Sequence, residues 1–171
     1  DGGNETITGP DLVSSITGGT GDDDITGGSA NDTINGQGGN DTMNGGAGTN
    51  TLTYSDASSA ITINLASGGA QNTGGSGTDT ISNFNHLTGS DYDDNLTGDS
   101  NANTINGGDG ADTLTGGGGA DTLNGGKGDD SINGSSDAET LNGNDDDDNI
   151  SGNGGADTIN GGKGDDTITG T

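Results

Sequence analysis

The sequence predicts an all-β fold, a solenoid of very short parallel strands wound into two facing sheets. Three observations predict it. A nine-residue period runs through most of the 171 residues. One apolar position recurs in every period, flanked by small polar residues. The composition also excludes a conventional core, with 40 glycines, 21% hydrophobic residues and 2% aromatic ones.

Nonads begin at Gly9, Gly18, Gly27, Gly36 and Gly45, and again at Gly89, Gly98, Gly107, Gly116, Gly125, Gly134, Gly143, Gly152 and Gly161. Position 8 is Ile, Leu or Met in all fourteen, from Ile16 to Ile168. Position 9 is always Thr, Asn or Ser. Position 6 is Asp in ten: Asp23, Asp32, Asp41, Asp94, Asp112, Asp121, Asp130, Asp148, Asp157 and Asp166.

The first six residues of a nonad, such as GGTGDD at 18–23 or GGKGDD at 125–130, read as a turn. Its glycines permit positive φ and let carbonyl oxygens crowd inward. The last three residues read as a minimal strand, with position 8 facing a core and positions 7 and 9 facing out. Two nonads make one 18-residue coil with a turn on each side. Coils stack about 4.8 Å apart, and their Ile and Leu rows form a thin core.

Turns two nonads apart then lie above one another. One side of the second run carries Asp94, Asp112, Asp130, Asp148 and Asp166, and the other Asn103, Asp121, Glu139 and Asp157. Bare carboxylates stacked this closely repel each other. A hard cation reverses that. Calcium takes about six to eight oxygens at about 2.3–2.6 Å from carboxylates and carbonyls, which an Asp from each of two turns plus inward carbonyls supplies. Magnesium, which wants a tighter octahedron and keeps waters, suits the arrangement less.

The pattern resembles the calcium-binding nonapeptide repeats of the repeats-in-toxin (RTX) family, Gly-Gly-x-Gly-x-Asp-x-apolar-x, over residues 9–53 and 89–169. The resemblance implies a parallel β-roll, a secreted bacterial parent protein and type I secretion. Members occur in proteases, lipases, toxins, epimerases, adhesins and surface-layer proteins. The expected metal ligands are the ten position-6 aspartates together with Gly18, Gly27, Gly36, Gly107, Gly116, Gly125, Gly152 and Gly161. About seven to ten calcium ions are expected.

Departures mark weaker sites. Ser14, Asn50, Asn103 and Glu139 replace Asp at position 6, and unit 9–17 holds the single proline, Pro10. Residues 54–88 break the period. There Ile61, Ile63 and Leu65 alternate as a strand, 68–77 reads as a glycine-rich turn, and Phe84 and Tyr54 suggest a small core. The expected organisation is an N-terminal roll block at 1–53, a spacer at 54–88 and a C-terminal block at 89–171. A single continuous solenoid with a bulging loop is the alternative.

The charge of −26, from 28 acidic and 2 basic residues, repels phosphate and excludes nucleic-acid partners. No apolar run is long enough to span a membrane as a helix. The chain begins at Asp1 without Met and stops within the pattern, which reads as a fragment. Cysteine is absent, so thiolate chemistry and disulfides are excluded. The repeated Asp pairs lack the unique setting of a catalytic dyad. His86 reads as a loop residue, and GGKGDD lacks the Lys-Ser/Thr ending of a phosphate loop.

The expected function is therefore a non-catalytic module, extracellular or on the cell surface, that folds when it binds calcium. The alternatives are a segment of a surface-layer, adhesin or matrix assembly, or an accessory domain of a secreted enzyme. Self-assembly or packing against other domains is expected along the side lined by Ala102, Ala120, Ala138 and Ala156.

Overall fold

A computed structural model describes residues 2–170. Its strands, in chain order, are β1 (Thr6–Thr8), β2 (Ser15–Thr20), β3 (Asp24–Thr26), β4 (Thr33–Gly38), β5 (Thr42–Asn44), β6 (Thr51–Thr53), β7 (Thr62–Asn64), β8 (Ala70–Asn72), β9 (Thr78–Ser82), β10 (His86–Thr88), β11 (Asn95–Thr97), β12 (Thr104–Asp109), β13 (Thr113–Thr115), β14 (Thr122–Lys127), β15 (Ser131–Asn133), β16 (Thr140–Asp145), β17 (Asn149–Ser151), β18 (Thr158–Lys163) and β19 (Thr167–Thr169). The one helical element among the described residues is a 3-10 turn at Gly74–Ser76.

These strands form a parallel β-solenoid. One face is an eight-stranded sheet ordered β18-β16-β14-β12-β10-β6-β4-β2. The other face holds a five-stranded sheet, β1-β3-β5-β9-β8, and a six-stranded sheet, β19-β17-β15-β13-β11-β7. Within the repeats the register steps by one coil, as Ile105 on Leu123 and Leu123 on Leu141 illustrate. Position-8 side chains alternate inward, and Ile25, Ile34, Met43, Leu52, Leu96, Ile105, Leu114, Leu123, Ile132, Leu141 and Ile150 are wholly buried. Burial lessens at the last coil, where Ile168 is 49% exposed.

Six strands of the eight-stranded sheet are longer than the three residues expected. β2, β4, β12, β14, β16 and β18 run on through positions 1–3 of the following turn. Gly108 pairs with Gly126 and Asp109 with Lys127, so the extension comes from the ladder between coils. Local propensity does not predict it, because glycine is a poor strand former.

Residues 54–88 supply a rung to each of the three sheets. β9 stacks on β5 with Ile81 against Met43, and β7 lies beneath β11 with Ile63 against Leu96. β10 stacks on β6 with Leu87 against Leu52, so the eight-stranded sheet runs unbroken past this segment. The stretch 68–77, expected to be only a turn, contains β8, which pairs antiparallel with β9. His86 begins β10 and does not sit in a loop. Tyr54, Ile61, Ile63, Ile81, Phe84 and Leu87 are all buried there, in one cluster with the position-8 residues of both runs.

Candidate metal centres

The turns line two edges of the solenoid. Turns 18–23, 36–41, 89–94, 107–112, 125–130, 143–148 and 161–166 leave the eight-stranded sheet, and form the exit edge. Turns 9–14, 27–32, 45–50, 98–103, 116–121, 134–139 and 152–157 lead into it, and form the entry edge.

The position-6 side chains stack in file along each edge. On the exit edge each carboxylate turns Oδ1 toward the preceding coil and accepts the position-6 N–H there. Asp94 N–H donates to Asp112 Oδ1 at 2.8 Å, Asp112 N–H to Asp130 at 2.8 Å, Asp130 N–H to Asp148 at 2.9 Å and Asp148 N–H to Asp166 at 3.0 Å. Glu5, Asp23 and Asp41 begin a similar file, with Asp23 N–H on Asp41 Oδ1 at 2.9 Å. The entry edge repeats the scheme from Ser14 to Asp32 and from Asn103 to Asp121. One oxygen of each carboxylate is thus spent on a neighbouring coil. Two turns therefore give an ion fewer free carboxylate oxygens than the sequence suggests.

The second oxygen decides what the site can bind. Oδ2 of Asp23, Asp41, Asp112, Asp130 and Asp148 on the exit edge, and of Asp121 on the entry edge, is buried with no hydrogen-bond donor among the described residues. Leaving a carboxylate oxygen so costs free energy unless a cation meets it. Beside it lies a cradle that only glycine leaves open. A Cβ on Gly18 would run into Asp23 Oδ2 and lie 2.8 Å from the Gly36 carbonyl oxygen. A Cβ on Gly107 would run into Asp112 Oδ2 and lie 2.6 Å from the Gly125 carbonyl oxygen. Position-1 glycines Gly27, Gly36, Gly116, Gly125, Gly152 and Gly161 face the carboxylates of their own turns in the same way. Carboxylate and carbonyl oxygens from two coils thus converge, a donor set that fits a hard, oxygen-seeking cation. Among the described residues no three His, Cys, Asp or Glu side chains gather as a cluster, so carbonyls must supply much of the shell.

The electrostatics agree. Burial pushes Asp41, Asp121 and Asp130 up to about 6 and Asp112 up to about 7, and neighbouring carboxylates add to the rise. Burial likewise raises Asp148. Asp32 goes the other way, because the Gly28 N–H and the Ser14 hydroxyl bind its carboxylate and favour the charged form.

Two members of the files are not in phase with either run of nonads. Asp79 accepts the Asp41 N–H at 2.9 Å, and its other oxygen takes the Tyr54 hydroxyl at 2.9 Å. Burial raises both groups. Asn85 holds the corresponding place on the entry edge, accepting the Asn50 N–H at 3.0 Å. A signal for Asp79 exists in the sequence, since residues 74–82 read GGSGTDTIS, a full nonad displaced from both runs. Nothing comparable marks Asn85, because the connection from β9 to β10 is shortened to residues 83–85.

A solenoid of nine-residue units whose stacked turns converge carboxylate and carbonyl oxygens is a cation-binding repeat protein. The chain belongs to the RTX calcium-binding nonapeptide repeat family, whose model matches residues 17–52, 83–114, 97–132, 115–150 and 133–168. No curated protein matches the chain. It is thus a calcium-binding RTX β-roll. Among the described residues no helix is long and apolar enough to cross a membrane.

Proposed function

We propose that the chain is a non-catalytic module of a secreted protein that folds outside the cell when calcium binds. The observation that carries this reading is the file of buried carboxylate oxygens without donors, repeated at every coil of the exit edge from Asp112 to Asp148. Of the ten expected ligands, Asp23, Asp41, Asp112, Asp121, Asp130, Asp148, Asp157 and Asp166 would hold the ions, whereas Asp32 and Asp94 are met by an N–H of their own turns. Carbonyls of Gly18, Gly27, Gly36, Gly107, Gly116, Gly125, Gly152 and Gly161 would join them. About seven to ten ions fit the number of stacked turns. Two roll blocks, 1–53 and 89–171, joined through 54–88, would each load their own file.

Calcium supplies positive charge where the fold concentrates negative charge. The protein's part is to stack the turns, turn Oδ1 onto the neighbouring coil and hold Oδ2 in place. A cation that binds only the folded chain drives folding by mass action. At the low free calcium of a cytosol the charge of −26 keeps the chain open and threadable for export. Millimolar calcium outside reverses this. Far-ultraviolet circular dichroism tests the reading. Chelator is expected to give a coil spectrum and millimolar calcium a β spectrum, whereas a fully folded chain in chelator overturns it.

A further inference from the structure

The turns are of two kinds, distinguished by their second residue. In turns 18–23, 36–41, 107–112, 125–130 and 143–148 that residue has positive φ: Gly19 at 129°, Gln37 at 66°, Gly108 at 132°, Gly126 at 132° and Asn144 at 88°. Gly117, at 97°, does the same in turn 116–121, as do Gly46 at 81°, Asn153 at 64° and Gly162 at 113° in turns 45–50, 152–157 and 161–166. Six of these nine turns, those of Asp23, Asp41, Asp112, Asp121, Asp130 and Asp148, leave Asp Oδ2 buried and without a donor. Those aspartates are each no more than 2% exposed.

In four other turns the second residue lacks positive φ, and its N–H points at the position-6 side chain. Gly28 N–H donates to Asp32 Oδ2 at 2.8 Å, and Ser90 N–H to Asp94 Oδ2 at 2.6 Å. Asp99 N–H donates to Asn103 Oδ1 at 2.8 Å, and Ser135 N–H to Glu139 Oε2 at 3.2 Å. The serine hydroxyls close the grip further, Ser90 Oγ on Asp94 and Ser135 Oγ on Glu139. Three of these four second residues are not glycine, so positive φ is unfavourable for them.

We propose that the conformation of the second turn residue selects which turns bind calcium. Turns with positive φ there and an aspartate at position 6 are open and hold ions. Turns 27–32, 89–94, 98–103 and 134–139 are closed by their own backbone N–H and stay metal-free. The proposal rests on the calcium reading above but predicts a subset of its sites. An N–H and a cation cannot occupy the same side of one oxygen, so the two states of a turn exclude each other. Turn 89–94 is the instructive case. It lies in the exit file and carries Asp94, yet Ser90 in place of glycine closes it, and β10 accordingly stops at Thr88.

Equilibrium dialysis against calcium, with the bound metal counted by atomic emission, tests this in the whole chain. Asp112→Asn is expected to lower the count by one, and Asp32→Asn to leave it unchanged. Ser90→Gly, which frees the second residue to take positive φ and removes the hydroxyl, is expected to raise it by one. Loss of an ion in Asp32→Asn, or an unchanged count in Ser90→Gly, overturns the proposal. If Asp112→Asn fails to fold, those two variants still decide. A wild-type chain that binds no calcium instead refutes the reading on which the proposal rests.

Discussion

At the scale of single residues, the position-6 aspartates are held in two protonation regimes. Asp41, Asp112, Asp121 and Asp130 are raised by burial. Each therefore binds more protons in the folded chain than in the unfolded one between about pH 4 and about pH 7. The metal-free fold consequently loses stability as pH rises through that window. Asp32, lowered by the Gly28 N–H, opposes the trend weakly, since its contribution is lost on acidification. Calcium competes with these same protons for the folded chain, so half-saturating calcium falls as pH rises. Circular dichroism is expected to show more β-structure in chelator at about pH 4.5 than at about pH 7.5, with half-saturating calcium lower at the higher pH. Glycines divide as sharply. A Cβ on Gly125 would run into Asp130 Oδ2, whereas one on Gly118 would find nothing nearer than Ser100 Cα at 3.7 Å. Gly125→Ala is expected to raise half-saturating calcium by about tenfold or more, roughly 1.4 kcal/mol, and Gly118→Ala to leave it near wild type in the same titration.

At the scale of elements, each strand contributes one inward side chain and depends on the coils above and below. Leu114 is wholly buried between Leu96 and Ile132. Truncating it to Ala is expected to cost about 2–5 kcal/mol in calcium-saturated urea denaturation. Ile168 lies half-exposed on the last rung, and its truncation is expected to cost less than about 1 kcal/mol in the same assay. The nine-residue phase made these strands, their inward residues and the two files of aspartates legible in the sequence. It could not reveal β8, β9 and Asp79, because the chain between Thr53 and His86 leaves that phase and recovers its contacts through pairings 33 to 38 residues apart. The long strands of the eight-stranded sheet were hidden for another reason. Their extra pairs, such as Gly108 with Gly126, are made by backbone on backbone and need no strand-forming side chain. The partners of Asp32 and Asp94 were equally hidden, since turn conformation, rather than residue type alone, aims an N–H at them.

At the scale of the whole molecule, continuity and division coexist. The eight-stranded face ties the coils on either side of residues 54–88 into one ladder through β6, β10 and β12. On the opposite face one sheet ends at β8, paired with β9, and a separate one begins at β7. At this seam hydrogen bonds stand where turns elsewhere leave oxygens bare. Tyr54 covers Asp79. The amide of Asn50 donates to the carbonyls of Ala47 and Asn83, and the amide of Asn103 to the carbonyl of Asn85. The seam therefore meets these position-6 groups with its own side chains and carbonyls, while the coils on either side leave theirs bare. Along the exit rim the third turn residues of four successive coils are Asp109, Lys127, Asp145 and Lys163. Lys127 binds Asp109 at 2.7 Å and Lys163 binds Asp145 at 2.7 Å. Exposed pairs of this kind contribute little to stability, about 0–1 kcal/mol each. Their alternation has another use in a chain whose coils are nearly interchangeable. Within these four coils, a misfolded stack that looped out the coil of Lys127 or of Asp145 would set aspartate against aspartate or lysine against lysine along the rim, so the order of the charges disfavours that slip as the coils assemble.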